Sequence, residues 1–163
     1  MPMKLRWWYG LALNMILAAL AISGAAIYVG HFKGGPVLEI RDSASGKVYG
    51  KWPVKEKSEF AVEFIHSVNQ SPVRETFKIE GRTIRPFSLR FFSFGAGMPS
   101  ELGEGQELSR DGDALVINGF STSFKELNYI VGTVSDHLLF INGETVSLRD
   151  LCGRNGHITI RVK

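Results

Sequence analysis

The sequence predicts an all-β domain, a sandwich or partly open barrel of short antiparallel strands, preceded by one N-terminal transmembrane helix. Three observations lead there. One apolar run, Trp7 to Gly30, carries no Asp, Glu, Lys or Arg. Beyond Phe32, short apolar stretches alternate with turn residues at intervals of about eight to twelve positions, the spacing of a sandwich or barrel. No sustained helical period follows Phe32.

At 1.5 Å per residue, a helix over Trp7 to Gly30 would be about 36 Å long, enough for a hydrocarbon core of about 30 Å with some tilt. Trp7, Trp8 and Tyr9 bracket it at one end and Tyr28 and Phe32 at the other, an interfacial aromatic belt. Lys4 and Arg6 make the leading flank the positive one, so the positive-inside rule assigns residues 1–6 to the cytoplasm. The rest then lies across the inner membrane, as a single-pass protein with a periplasmic domain. A cleaved signal peptide is the competing reading, because Ala19-Leu20-Ala21 and Ser23-Gly24-Ala25 resemble cleavage sites. The apolar run exceeds the usual signal-peptide core of about 7–15 residues, which favours an uncleaved anchor. Residues 31–36 read as a linker, flexible at Gly34-Gly35 and stiffened by Pro36. Residues 37–163 form the expected domain.

Within it, Val37 to Arg41 and Val48 to Trp52 are strands about a Ser43–Gly46 turn. Glu59 to Ser67 places Phe60, Val62, Phe64 and His66 on one face. After a loop from Val68 to Pro72, Val73, Glu75, Phe77 and Ile79 share a face. A turn at Glu80-Gly81-Arg82 leads into a long strand through Phe94. Gly95 to Gly105 is a glycine-rich loop, and Asp111-Gly112-Asp113 is a hairpin turn. Leu115 to Ile117, Tyr129 to Val134, His137 to Ile141 and Thr145 to Leu148 are strands. Asn142-Gly143 signals a tight hairpin, Leu148 to Leu151 one helical turn, and Ile158 to Val162 the closing strand.

Composition narrows the function. Hydrophobic residues are 44% and charged residues 21%, with a formal net charge of +3, so a packed core is expected and no basic tract favours nucleic acid. The single Cys152 excludes an internal disulfide and reads as a lone buried, largely unreactive thiol. No cofactor fingerprint is present, and no tight histidine spacing points to a metal.

Two features could carry chemistry. His66 and Glu75 each interrupt an apolar strand face and are expected to meet across one hairpin. Such a pair could form a polar binding site or simply fix strand register. Ser67 points to the opposite face from His66, and no nucleophile elbow supports a hydrolase. The second feature is Gly95-Ala96-Gly97 with Pro99, whose backbone N–H groups could form a nest, or no more than a tight loop. The candidate ligand- or partner-binding residues are therefore His66, Ser67, Glu75, Gly95, Ala96, Gly97 and Pro99, with none assigned to catalysis or metal. An enzyme is the least supported reading, since no nucleophile, cofactor motif or paired carboxylates stand out.

Phe64-Ile65-His66-Ser67-Val68, Pro72-Val73 with Glu75, and Phe92-Ser93-Phe94-Gly95-Ala96-Gly97-Met98-Pro99 together resemble a bacterial domain family of unknown function, DUF1850. Asp136-His137, Asn142-Gly143 and Val146 to Leu151 extend the likeness. The resemblance implies a gene neighbourhood shared with TAXI-type TRAP transporters, and hence an accessory role. The implied partners are the transporter's membrane subunit or its solute-binding protein. The alternative is a small-ligand binding or sensing domain that uses His66, Glu75 and the Gly95–Gly97 loop.

Overall fold

The computed structural model describes residues 35–95, 97–99 and 101–163. The expected transmembrane segment and most of the linker lie outside the described residues, as does Ala96. Among the described residues no helix is long and apolar enough to cross a membrane.

The domain, Pro36–Lys163, is built from antiparallel strands in two sheets. The chain runs through β1 (Val37–Asp42), β2 (Val48–Pro53), β3 (Glu59–Ile65), β4 (Pro72–Glu80), β5 (Thr83–Phe91) and β6 (Glu107–Asp111). It continues through β7 (Ala114–Asn118), β8 (Glu126–Ile130), β9 (His137–Ile141), β10 (Glu144–Ser147), a short helix α1 (Leu148–Cys152) and β11 (His157–Val162). The smaller sheet has the order β2-β1-β11-β8 and the larger β10-β9-β3-β4-β5-β7-β6. The all-β sandwich expectation therefore holds.

Alternation puts Leu38, Ile40, Ile158 and Ile160 of the smaller sheet against Phe60, Val62, Phe77, Ile79, Ile84, Leu139 and Ile141 of the larger one. A second cluster, Val73, Phe91, Leu115 and Ile117, continues the inner face of the larger sheet toward β7, with Phe64, Leu89, Met98 and Phe120 packed on it. The larger sheet thus extends past β8, the edge strand of the smaller one. The segment between β7 and β8 covers part of that overhang.

A bulge in β5 keeps this inner face apolar. Pro86 lies opposite Phe77 and Ser88 opposite Thr76, so Phe87 is the extra residue. Proline has no N–H to give the ladder, which suits a bulge. The insertion flips the alternation: Ile84 and Pro86 face inward before it, Leu89 and Phe91 after it. Phe87 is turned outward, where the Lys78 ammonium lies 3.4 Å from its ring centroid.

Three sequence expectations shift. β3 stops at Ile65, not Ser67, because His66 to Ser71 closes the hairpin: His66 N–H donates to Ser71 O and Gln70 N–H to His66 O. β5 ends at Phe91, short of Phe94. The strand expected at Tyr129 to Val134 lies instead at Glu126–Ile130. β6, whose residues are all exposed, shows no alternation and was not expected at all. Asn142 and Gly143 take positive φ (51° and 81°), as the tight hairpin requires.

On the outer face of the smaller sheet, Glu39 of β1 is fully covered by side chains from β2 and β11. Its Oε1 accepts from Arg161 Nη2 (2.8 Å) and Nε (3.1 Å), with Lys163 and Lys51 ammonium groups each 3.6 Å from the carboxylate. Burial alone would raise its pKa. The Arg161 bonds and the three positive charges outweigh that and hold it below the ordinary value. Stability from this site is therefore present above the ordinary value of 4.5 and lost as pH falls through the lower folded value. Arg161→Ala should cost about 1–3 kcal/mol at neutral pH, because a covered carboxylate loses its donors. The deficit, read by denaturant unfolding, should shrink in acid; one that is independent of pH would contradict the role given to Arg161.

Candidate functional site

The hairpin register separates His66 from Glu75. Val62 lies opposite Glu75, and His66 is held opposite Ser71. Four strand residues, about 13 Å at 3.3 Å each, lie between the two levels. The expected cross-strand pair is thus corrected: the turn is centred earlier in the chain, over 66–71 rather than 68–72, which shifts the register, and Glu75 meets a different residue.

That residue is Tyr129 of β8, on the opposite sheet. Its hydroxyl donates to Glu75 Oε2 at 2.6 Å. Glu75 occupies an otherwise apolar setting, with Val62 and Leu89 across the ladder on either side and Val73 and Phe77 two residues away along β4. Among the described residues no lysine or arginine forms an ion pair with it. Burial therefore pushes the Glu75 carboxyl above the ordinary glutamate value, and the Tyr129 bond offsets only part of the rise. Burial, together with the Glu75 charge and bond, pushes the Tyr129 phenol well above the ordinary tyrosine value.

Tyr129 leads to His137. The two rings meet edge to face with centroids 6.1 Å apart, and Phe64 stacks on the other side of His137 at 4.9 Å. His137 Nδ1 accepts the Gly132 N–H at 3.2 Å. Burial lowers the imidazole pKa; the nearby Asp136 charge opposes this and Arg149 adds to it. Asp136 ties the β8–β9 loop to α1: it accepts from the Ser147 hydroxyl and from Arg149 N–H (3.0 Å). Ser147 in turn caps α1 through Asp150 N–H at 2.9 Å. Cys152 lies at the end of α1 and is half-buried rather than buried as expected; its Sγ donates to Leu148 O at 2.9 Å, and burial raises its thiol pKa. Among the described residues, no three His, Cys, Asp or Glu side chains converge as metal ligands would.

The glycine-rich loop meets His66 instead. A side chain on Gly97 would come within 3.6 Å of His66 Nε2, and Asn69 would crowd one on Gly95 at 2.9 Å. Asn69 bridges the two loops, its N–H donating to His66 Nδ1 (3.2 Å) and its Nδ2 to Ser93 O (3.2 Å). Ser135 of a third loop donates to Ile65 O at 3.1 Å. His66, Ser67, Gly95, Gly97 and Pro99 therefore lie at one end of the sandwich, while Glu75 lies inside it. Sequence reasoning missed Tyr129 and Asn69. The polar tip of Tyr129 on a half-buried strand face was the available signal.

The raised pKa of Glu75 links stability to pH. Its contribution is fully present below the ordinary value of 4.5 and is lost as pH rises through the higher folded value. Thermal melts of the protein and of Glu75→Gln should converge in acid, with the variant gaining relative stability as pH rises. Melting curves offset by the same amount at every pH would contradict a desolvated carboxyl. Tyr129→Phe should destabilise by about 1–3 kcal/mol, since it leaves Glu75 without its donor.

No curated protein and no solved structure matches the chain. One family model does, that of the Domain of unknown function (DUF1850), over residues 60–148. The match runs from Phe60 of β3 to Leu148 of α1 and so spans Glu75, Tyr129, His137 and both contacting loops. Covering more than half of the sequence, it shows that the chain belongs to the DUF1850 family.

Proposed function

We propose that this protein is a membrane-anchored, extracytoplasmic accessory domain that assists a TAXI-type TRAP transporter by binding one of its subunits through the loop end. The observation that carries the reading is a group of exposed apolar side chains at that end. Val134 is 93% exposed, Val68 65%, Ile130 56% and Phe94 52%. Val68 lies in the His66 turn, Phe94 next to Gly95, and Val134 next to Ser135, which donates to Ile65 O. Exposed apolar side chains with polar groups among them suit a protein-binding surface.

The chain enters the domain at the other end. Val54 N–H donates to Pro36 O, and Asn142, beyond the Phe60 end of β3, donates to Pro53 O at 2.8 Å. β3 runs from that end to the loops, a span of about 23 Å. The apolar loops therefore face away from the point where the linker arrives, which suits reaching a partner. The apolar run over residues 7–30 with Lys4 and Arg6 before it supports the membrane part of the reading. The family resemblance supports the transporter part.

Two results should follow. A periplasm-active reporter fused after Lys163 should work, and a cytoplasm-dependent one should not; the reverse pattern would overturn the topology. The full-length protein should retain the transporter's membrane subunit or solute-binding protein in detergent. A variant carrying Val68→Asp and Val134→Asp should lose at least about tenfold in that binding while melting normally. Undiminished binding by the variant would place the contact elsewhere, and retention of neither subunit by the native protein would refute the accessory role.

A further inference from the structure

The overhang of the larger sheet beyond β8 leaves a cavity of about 410 Å³, and Glu75 and Tyr129 line it. Phe77, Phe120, Phe124 and Leu127 supply much of the remaining lining. The volume falls in the range of small-molecule sites. Its outer wall, the segment between β7 and β8, is held in place by backbone. Ile84 and Phe124 exchange both N–H···O bonds, at 2.7 and 2.8 Å, and Arg85 Nη1 donates to Phe120 O at 3.3 Å. At the start of this wall Gly119 takes φ +83° and packs so closely on Gly105 that a Cβ would lie 2.1 Å from its carbonyl oxygen. The cavity is thus a built feature between fixed elements.

We infer that this cavity binds an organic ammonium ion with an apolar body, its charge held by Glu75 and Tyr129 and its body lying among Phe77, Phe120 and Phe124. Three observations select that class. The described lining offers a carboxyl but no lysine, arginine or histidine, so it has nothing to neutralise an organic anion. A carboxyl among apolar side chains with a single hydrogen-bond donor is best satisfied by a cation that brings its own donors. Aromatic rings line the same space, and their faces attract an ammonium group while their area takes up the apolar part. Glu75 lies inside the sandwich, so the site is separate from the loop end.

Binding should be linked to protons through Glu75. Tyr129 is the titratable group facing it among the described residues, with the His137 ring beyond Tyr129; Val62 and Leu89 face it from β3 and β5. Cation binding requires the carboxylate, so affinity should fall as pH drops through the raised Glu75 value, above the ordinary 4.5.

The test is isothermal titration of the full-length protein in detergent with phenethylammonium, against hydrocinnamate as the matched anion and phenethyl alcohol as the neutral analogue. Saturable binding of phenethylammonium with a Kd at or below about 1 mM is expected, with the two analogues at least about tenfold weaker. Glu75→Gln should lose the binding and its pH dependence while melting at least as high as the native protein at neutral pH. Thr122→Trp, which fills the cavity from its wall and leaves Glu75 intact, should also lose it. Equal or tighter binding of hydrocinnamate or of phenethyl alcohol would overturn the assignment, as would unchanged binding by Glu75→Gln. The absence of saturable binding by the native protein would do so as well.

Discussion

A carboxyl group on the inner face of a β-sandwich is costly unless something there satisfies it, and the arrangement around Glu75 is organised by that requirement. The inner face of β4 reads Val73, Glu75, Phe77, Ile79, and the side chains on either side of it are apolar. Glu75 is half-buried, and among the described residues no basic side chain forms an ion pair with it. The Tyr129 hydroxyl bonds to it instead, from the opposite sheet. This bond joins β4 to β8 across the sandwich, beside the apolar packing of Leu127 and Tyr129 on the core. β8 is an edge strand, and both bonded side chains line the cavity beyond it. Tyr129 then braces His137, and through the β8–β9 loop the same group connects to Asp136, Ser147 and α1.

Glu39 shows how differently the same residue type behaves under other company. Both glutamates sit mid-strand, Glu39 fully buried and Glu75 half-buried at the wall of the cavity. Glu39 faces outward under Arg161, Lys51 and Lys163, and their donors and charges favour the ionised form. Glu75 faces inward with one neutral donor, and desolvation favours the protonated form. The first contributes stability at neutral pH and the second takes some away. A group that lowers stability at neutral pH persists more readily where binding uses it, which is why the Glu75 cavity, rather than the ion-paired Glu39 cluster, is the place to look for a ligand.

Period-two alternation was enough to read β1, β2, β4, β9 and β11 closely, and it correctly showed Glu75 as a polar interruption of an inward face. It could not show what Glu75 meets. Alternation says which face a residue takes within a sheet, whereas Tyr129 is 54 positions further along and belongs to the other sheet. The His66 pairing failed through the position of the turn: centring it over 66–71 rather than 68–72 moves every cross-strand partner along the ladder. β6 was illegible because Glu107 to Asp111 is exposed throughout and has no apolar face to alternate. The apolar run Tyr129-Ile130-Val131 drew the expected strand too far along, although Leu127 and Tyr129 are the inward pair of β8. The meeting of the His66 turn with the Gly95–Gly97 loop was legible only as two separate candidates, since its link is Asn69, an ordinary turn residue.

The central claim is that Glu75 is a desolvated carboxyl satisfied across the sandwich by Tyr129. Carbon-13 NMR of the protein labelled at glutamate side-chain carboxyls tests it most directly, with the Glu75 resonance assigned by its loss in Glu75→Gln. The account predicts a titration midpoint for Glu75 above the ordinary value of 4.5, rising further in Tyr129→Phe, where the hydrogen bond that favours the carboxylate is removed. A Glu75 midpoint at or below 4.5, or one that Tyr129→Phe leaves unmoved, would contradict it.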